Sequence, residues 1–224
     1  MIKAVIFDLD GTLLDRDSSI HKFILEQYER LENKLGHIGQ AEYASRFIEL
    51  EKNGYVWKDE VYLQLVDEFD IQGISWQELL DDYLAQFPKH CIPFPGVVPL
   101  LEELKGSGIR LGMITNGFTD FQAGNIRALG IEPYFDEILI SEREGLRKPD
   151  RRIFERALER LGVAAKEAIF VGDHPLNDVE AASLAGMVSV WKRNSQWEEA
   201  AADFIIDDLG EIPGGIRRRF RLES

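Results

Sequence analysis

One stretch near the start of the chain decides the fold: Ala4-Val5-Ile6-Phe7-Asp8-Leu9-Asp10-Gly11-Thr12. Its first four residues form a continuous apolar run of β-branched and aromatic side chains, which predicts a buried strand of a parallel sheet. The run ends in a polar turn that contains a glycine and the two aspartates Asp8 and Asp10. In open α/β sheets, ligands bind beyond the carboxyl ends of the strands. We therefore expect these two aspartates to lie at a functional edge of a sheet.

The chain from residue 97 onward alternates between helical and strand-like segments. Further strands are predicted over residues 109–114, 137–140, 168–171, 188–191 and 204–206. Helices are predicted over residues 97–105, 119–129, 150–161 and 178–185, and most of them stop at a glycine. Strands that alternate with helices predict an α/β fold, here a doubly wound parallel sheet with a Rossmann-like core.

Residues 16–92 have a different pattern. Apolar side chains recur there at helical spacing, and no strand pattern interrupts them. Ser75 and Glu78 have the spacing of a capping box at the start of a helix. The pattern is strongest within residues 20–35, 61–69 and 76–87, and the whole segment is predicted to be helical.

A proline cluster, Pro93-Phe94-Pro95-Gly96, follows this helical segment. Proline stiffens the chain and stops helices, so such a cluster is typical of a domain boundary. We predict a core domain formed by residues 1–15 and 93–224. The second, smaller domain is an all-helical cap formed by residues 16–92.

The composition argues against several classes of partner. Lys and Arg number 26 and Asp and Glu number 40, which gives a formal net charge of −14. Nucleic acids and anionic membranes attract basic surfaces, so neither is an expected partner. The single cysteine, Cys91, indicates a reducing compartment, and no apolar run approaches the ~18 residues of a membrane span. We expect a cytoplasmic protein, and the sequence does not indicate its oligomeric state.

Polar side chains follow the carboxyl ends of the predicted strands, where carboxylates, a hydroxyl and an ammonium group are expected to converge. These residues are Asp8 and Asp10 after the first strand, Thr115 and Asn116 after the second, Lys148 after the third, and Asp173 and Asp178 after the fourth.

Four short motifs contain these residues: Asp8-Leu9-Asp10-Gly11-Thr12, Thr115-Asn116-Gly117, Lys148-Pro149-Asp150 and Gly172-Asp173-His174-Pro175-Leu176-Asn177-Asp178. In this order and context they resemble the four motifs of the haloacid dehalogenase-like (HAD) phosphatases. The helical block after the first motif resembles the inserted cap of that family. The resemblance covers essentially the whole chain, and it implies a hydrolase of phosphoric monoesters.

The resemblance also implies a role for each motif residue. Asp8 would attack phosphorus and form an aspartyl-phosphate. Asp10 points to the same side of an extended chain, and it would protonate the leaving oxygen and later take a proton from water. Lys148 would neutralise Asp8 and hold the phosphate. Thr115, with backbone N–H groups near Asn116, would bind the phosphate oxygens at a helix start.

Asp173 and Asp178 add negative charge to that of Asp8 and Asp10, and four clustered carboxylates would repel a phosphate dianion. A divalent cation offsets this repulsion, and an all-oxygen ligand set favours Mg²⁺ over zinc or copper. The resemblance implies that the Asp8 carboxylate, the Asp10 backbone carbonyl and Asp173 bind the metal directly. Asp178 would act mainly through water.

The favoured function is a Mg²⁺-dependent phosphatase that acts on a small phosphorylated metabolite. A sugar phosphomutase of the same family shares these motifs and remains the alternative. A dehalogenase attacks carbon and needs neither a leaving-group acid nor a metal, so Asp10 and the acids of the fourth motif argue against it. The cap is expected to set substrate specificity, with His21, Lys22 and Arg46 as its candidate cations.

Overall fold

The computed structural model of the protein describes residues 1–220, with side chains as far as residue 215. The chain divides into two compact units. One comprises Met1–Asp15 and Pro93–Ser224, and the other comprises Arg16–Ile92. None of the described helices is long and apolar enough to cross a membrane.

The first unit is built on a single sheet of parallel strands. The strands are β1 (Ala4–Phe7), β2 (Arg110–Thr115), β3 (Glu137–Ile140), β4 (Ala168–Gly172), β5 (Val188–Lys192) and β6 (Phe204–Ile206). Their order in the sheet is β3-β2-β1-β4-β5-β6. This topology confirms the predicted doubly wound parallel sheet, and each predicted strand agrees with an observed one to within a residue at either end.

The strand β1 lies in the middle of the sheet, and all of its residues are buried. Phe7, its last residue, is in register with Met113 of β2 on one side and Val171 of β4 on the other. The turn after β1 therefore adjoins the carboxyl ends of both neighbouring strands. The Asp8 N–H continues the pairing, because it donates to the Val171 carbonyl over 2.9 Å.

The second unit is helical. It contains α1 (Arg16–Arg30), α2 (Glu32–Leu35), α3 (Gln40–Glu51), α4 (Lys58–Glu68) and α5 (Trp76–Gln86). The capping box at α5 forms as predicted: the Glu78 N–H donates to Ser75 Oγ over 3.2 Å, and the Ser75 N–H donates to Glu78 Oε2 over 2.8 Å. Helix α3 has no counterpart among the three predicted runs, although Tyr43, Phe47 and Leu50 of its buried face have helical spacing.

The helices of the first unit cover the sheet. They are α6 (Val97–Gly106), α7 (Thr119–Ala128), α8 (Ser141–Glu144), α9 (Arg151–Leu161), α10 (Ala181–Leu184) and α11 (Glu211–Phe220). Side chains of α9 and α10 pack with those of the central strands in one apolar core.

One predicted helix, over residues 178–185, begins earlier and is wound differently. Residues Pro175–Glu180 form a π-helix, which continues into α10. The His174 side chain explains the early start, since its Nδ1 accepts hydrogen bonds from the N–H groups of Leu176 and Asn177, both over 3.1 Å. A proline at the first helical position needs no such acceptor.

The two segments that border residues 16–92 lie side by side in the first unit. Leu14 and Pro93 form an isolated antiparallel bridge. Next to it, the Phe94 N–H donates to the Leu13 carbonyl over 2.9 Å. The chain therefore leaves the first unit and returns to it at adjacent points.

Candidate active site

Lys148 lies between two carboxylates at the carboxyl edge of the sheet. Its Nζ is 2.5 Å from Asp8 Oδ1 and 2.6 Å from Asp178 Oδ1. All three side chains are buried, with at most 8% of each exposed. Because Asp8 follows β1, Lys148 follows α8 and Asp178 lies beyond β4, this ion cluster brings three of the four motifs together.

Asp173 completes the cluster. Carboxylate oxygens of Asp8, Asp173 and Asp178 lie within 4.8 Å of one another. Together with the Lys148 ammonium, three carboxylates leave two formal negative charges in excess. The carboxylate of Asp10 is outside this group of oxygens.

The excess charge is visible in the pKa values. The pKa of Asp173 is raised to about 7, mainly by burial and next by the nearby Asp178, although a hydrogen bond from Asn194 opposes the shift. Burial also raises the pKa of Asp8 well above its usual range, although Lys148 lowers it. Burial lowers the pKa of Lys148, but Asp178 and Asp8 outweigh burial, and the net shift is upward. The lysine therefore stays charged, and the carboxylates lack a balancing charge.

This donor set fits a divalent cation of the Mg²⁺ type, which prefers oxygen ligands. Both oxygens of Asp178 already accept hydrogen bonds, Oδ1 from Lys148 and Oδ2 from the His174 N–H over 3.0 Å. Asp8 is engaged in the same way, by Lys148 at Oδ1 and by Thr12 at Oδ2, so hydrogen bonding does not separate the carboxylates, and Asp8 and Asp173 as direct ligands stay a prediction from the sequence. A cation held there would lower the raised pKa values of both ligands, since it supplies the missing positive charge.

Two glycines make room for the acidic cluster. Gly11 has φ +81°, and a Cβ atom there would lie 2.2 Å from Asp173 Oδ2. A Cβ on Gly172 would lie 2.4 Å from that of Asp178. Any side chain at either position would displace an acidic residue, so these glycines are part of the site geometry.

Asp10 lies outside this ion cluster and contacts helix α7. Its Oδ2 accepts a hydrogen bond from Gln122 Nε2 over 2.7 Å, and the same nitrogen is 2.8 Å from Thr115 Oγ1. Gln122 is 3% exposed and Thr115 is fully buried. The glutamine thereby joins the two residues to which the sequence assigns acid–base catalysis and phosphate binding. Sequence reasoning missed Gln122, because a neutral amide on a helix carries no signal of catalysis.

The side chain of Asn116 holds the main chain of Lys148. Its Nδ2 donates to the Lys148 carbonyl and its Oδ1 accepts from the Lys148 N–H, both over 2.9 Å. This reciprocal pair fixes the segment from which the lysine reaches the carboxylates. The side chain of Asn116 therefore supports Lys148. The predicted phosphate contact is left to the backbone N–H groups near Asn116.

A second buried lysine, Lys192, was not predicted. Its Nζ donates to the Gly11 carbonyl over 3.1 Å and lies 3.4 Å from the centroid of the Phe94 ring. Burial lowers its pKa, whereas the carboxylate of Asp173 raises it. Lys192 stands one residue beyond the predicted end of its strand, so position alone could have drawn attention to it.

The cap cations proposed from the sequence differ in their surroundings. Arg46 is 2.6 Å from Glu68 and 2.7 Å from Glu49, so two carboxylates of the helical unit already engage it. Hydrogen bonds from Arg46 and then Gln64 lower the pKa of Glu68 to about 2. His21 and Lys22 are exposed. Arg46 is therefore a weaker candidate for substrate recognition than its charge alone indicates.

Known proteins are similar to this chain over most of its length. Residues 2–186 match a family model described as haloacid dehalogenase-like hydrolase. A glyceraldehyde 3-phosphate phosphatase of Methanopyrus kandleri is 29% identical over 97% of this chain and 98% of its own length. The relative therefore aligns over both of the units described above.

Two solved structures are similar over nearly the full length. A HAD phosphatase from Thermococcus onnurineus is 31% identical, with a TM-score of 0.69 and coverage of 99% of both chains. A 2-haloacid dehalogenase from Pseudomonas syringae is also 31% identical, with a TM-score of 0.67 over 97% of this chain and 99% of that one. The family match, the sheet topology and the four ordered motifs lead to one conclusion: this chain belongs to the haloacid dehalogenase-like hydrolases.

Proposed function

We propose that the protein is a Mg²⁺-dependent phosphatase of small phosphorylated metabolites that works through an aspartyl-phosphate on Asp8. One observation carries this proposal: a buried lysine neutralises two carboxylates that have further negative charge beside them, while Asp10 stands apart and is held by its own donor. This arrangement separates a nucleophile from an acid–base group, as two-step phosphoryl transfer requires.

In the first step, a carboxylate oxygen of Asp8 forms a bond to phosphorus while the bond from phosphorus to the ester oxygen breaks. Asp10 enters this step protonated and gives its proton to the departing oxygen, so an alcohol leaves. Lys148 offsets charge at Asp8. The hydroxyl of Thr115 accepts from Gln122, so its own hydrogen can be donated to a phosphoryl oxygen.

In the second step, water attacks phosphorus and the bond between phosphorus and Asp8 breaks. Asp10, now ionised, takes a proton from that water and returns to its starting form. The products are inorganic phosphate and the restored Asp8 carboxylate. A group that acts in this way typically contributes about 10²–10⁴-fold to the rate.

Asp8, Asp173 and the Asp10 backbone carbonyl would hold Mg²⁺, with Asp178 acting through water. The cation supplies charge that offsets the repulsion between the carboxylates and a phosphate dianion. It also favours the ionised form of Asp8, which burial otherwise opposes.

The relative from Methanopyrus kandleri is named for its action on glyceraldehyde 3-phosphate. That substrate is a short phosphate monoester of an alcohol, and its leaving oxygen is basic enough to need the proton from Asp10. We therefore propose that the natural substrate is a phosphate monoester of a small alcohol rather than an aryl ester.

The test is phosphate release from purified protein with Mg²⁺, across a panel that contains glyceraldehyde 3-phosphate, sugar phosphates, phosphoserine and nucleotides. We expect release from at least one alkyl ester, none in excess chelator, and recovery with Mg²⁺. A sugar phosphomutase would consume its sugar phosphate and form an isomer without net phosphate release.

The same preparation separates the dehalogenase alternative, which the Pseudomonas syringae structure makes worth testing. A 2-haloacid is incubated with and without Mg²⁺, and free halide is measured. Halide release in chelator, with no phosphate released from any ester, would overturn the proposal.

A further inference from the structure

Gln122 is a neutral, buried side chain that contacts more oxygens than its amide can serve. Its Nε2 lies 2.7 Å from Asp10 Oδ2, 2.8 Å from Thr115 Oγ1 and 3.1 Å from the Asn116 carbonyl. An amide nitrogen has only two hydrogens. Three acceptors therefore share the two hydrogens of this nitrogen at the carboxyl end of β2.

A second buried amide fixes which way the Gln122 amide points. Asn125 Nδ2 donates to Gln122 Oε1 over 3.1 Å. With the opposite orientation, Gln122 would direct its oxygen at the Asp10 carboxylate and at a carbonyl, which are both acceptors. The observed orientation is thus the one that presents N–H groups to Asp10.

This arrangement leaves one polar atom unsatisfied. Asn125 is fully buried, and among the described residues its Oδ1 is the buried side-chain atom without a hydrogen-bond partner. Such an atom destabilises a fold by about 1–3 kcal/mol. This loss of stability occurs at the residue whose amide orients Gln122. An unsatisfied buried group of this kind is expected where a side chain supports a functional site rather than the core.

We propose that Gln122 is a positioning residue that selects the oxygen through which Asp10 transfers protons, an inference that rests on the function proposed above. Asp10 Oδ2 accepts an N–H from Gln122, so a proton on that same oxygen would face a donor. The contact engages Oδ2 and leaves Oδ1 as the oxygen that Gln122 does not bind. Gln122 directs this oxygen, and no other, toward the leaving group and later toward water.

The same contact sets the direction of the Thr115 hydroxyl. Oγ1 accepts from Gln122, so the hydroxyl hydrogen points away from the glutamine. One amide thus orients the carboxylate of Asp10 and the hydroxyl of Thr115. Because Gln122 belongs to helix α7, these contacts fix the side chains of Asp10 and Thr115 relative to that helix.

The test compares Gln122→Met and Gln122→Glu with wild type. Methionine keeps the length of the side chain without a donor, and glutamate keeps its shape while replacing the N–H group with an oxygen. The measurement is kcat/KM for a series of aryl phosphates of rising leaving-group basicity and for the best alkyl ester. This quantity reports the first step alone, in which Asp10 protonates the leaving oxygen.

We expect kcat/KM for the alkyl ester to fall by about 10- to 100-fold, since misplacing a catalytic group by an ångström costs on that order. The loss for the best aryl leaving group should be several-fold smaller, because it needs less help from an acid. A plot of rate against leaving-group basicity should therefore become steeper in both variants.

Gln27 offers a matched control for the loss of a buried amide. It is fully buried in helix α1, and its Nε2 donates to the Leu79 carbonyl over 3.1 Å and to Asp82 Oδ2 over 2.9 Å. Gln27→Met should lower stability without changing how the rate depends on the leaving group. If Gln122→Met behaves in the same way, Gln122 is structural and the inference is overturned.

Asp10→Asn supplies the second control. This variant cannot deliver a proton, so its rates should already depend steeply on the leaving group. Adding Gln122→Met should then leave that dependence unchanged, whereas a further increase would mean that Gln122 acts without Asp10. Failure of the proposed function gives a different result, since wild type would then release no phosphate from any ester in the series.

Discussion

Each unit of the molecule buries a three-residue ion cluster, and the two clusters have opposite compositions. In the sheet-containing unit, Lys148 lies between the carboxylates Asp8 and Asp178. In the helical unit, one carboxylate, Glu51, lies between two cations. Lys58 Nζ is 3.0 Å from Glu51 Oε2, and the guanidinium of Arg16 binds both oxygens of the same carboxylate.

The pKa values show what this difference means. Burial raises the pKa of Glu51, but Arg16 and Lys58 outweigh burial and the net shift is downward. In the other unit, burial raises the pKa values of Asp8, which belongs to the cluster, and of Asp173 beside it. The helical cluster has a balanced carboxylate and holds its elements together, whereas the sheet cluster has more carboxylates than cations. Similar burial thus accompanies opposite pKa shifts, and the perturbed carboxylates are those for which we propose a functional role.

The largest expected effect comes from removing the nucleophile. Asp8→Asn should lower kcat by at least about 10⁴-fold, because the amide cannot form the aspartyl-phosphate. The free energy of unfolding should stay the same or rise, since one of the excess carboxylates is lost. Steady-state kinetics and urea unfolding of the metal-free protein measure the two effects. A variant that keeps its activity would remove Asp8 from the mechanism.

The helical cluster should respond in the opposite way. Glu51→Gln leaves the buried Lys58 and the partly buried Arg16 without their carboxylate, and breaking a buried pair destabilises by about 3–5 kcal/mol. Urea unfolding measures this loss. Glu49→Gln on the same helix α3 is the control, because its side chain is 70% exposed and exposed pairs contribute only about 0–1 kcal/mol. Equal effects of the two substitutions would contradict a structural role for Glu51.

Mg²⁺ should bind at the cluster of the sheet-containing unit and not at the cluster of the helical unit, so adding it tests the difference between them in folded protein. A ligand that binds only the native state stabilises it by about 2.7 kcal/mol at one hundred times its Kd. We expect Mg²⁺ to raise the melting temperature of wild type and of Glu51→Gln to a similar extent. Asp173→Asn should lose this response. A response that survives in Asp173→Asn would place the cation elsewhere.

The smallest effect is a pH dependence of the Glu51 contribution. The pKa of Glu51 is lowered on folding, so its stabilisation is fully present above the unfolded value of about 4.5 and is lost as the pH falls through the folded value. The difference in unfolding free energy between wild type and Glu51→Gln should therefore be constant from pH 7 to pH 5 and shrink below that. A difference that grows in acid would have the wrong sign for this linkage.

The sequence predicts the sheet well because its strands are short apolar runs with clear ends. The same regularity predicts the site residues that follow those ends, since parallel strands deliver them to one edge. Gln122 escapes this reasoning because it lies within a helix, and only the folded chain brings it to Asp10 and Thr115. The charge of Arg46 likewise gives no hint that Glu68, on another helix, will engage it.

Glu51, Arg16 and Lys58 are separated along the chain, and each taken alone has the pattern of a surface charge. Their contact arises only when helices α1, α3 and α4 pack together, so sequence spacing does not reveal it. The early helical start at Pro175 has a similar origin. It depends on the His174 ring turning back to accept two backbone N–H groups, which no periodicity of apolar residues encodes.

The bridge between Leu14 and Pro93 gives the fold a modular character. Because the core closes this junction with its own hydrogen bonds, a segment inserted there behaves as a loop whose ends are already joined. The entropy of closing such a loop rises by only about 0.6 kcal/mol for each doubling of its length. Helical inserts of quite different sizes could therefore be exchanged at this junction in laboratory chimaeras, while the sheet and its acidic edge keep their register.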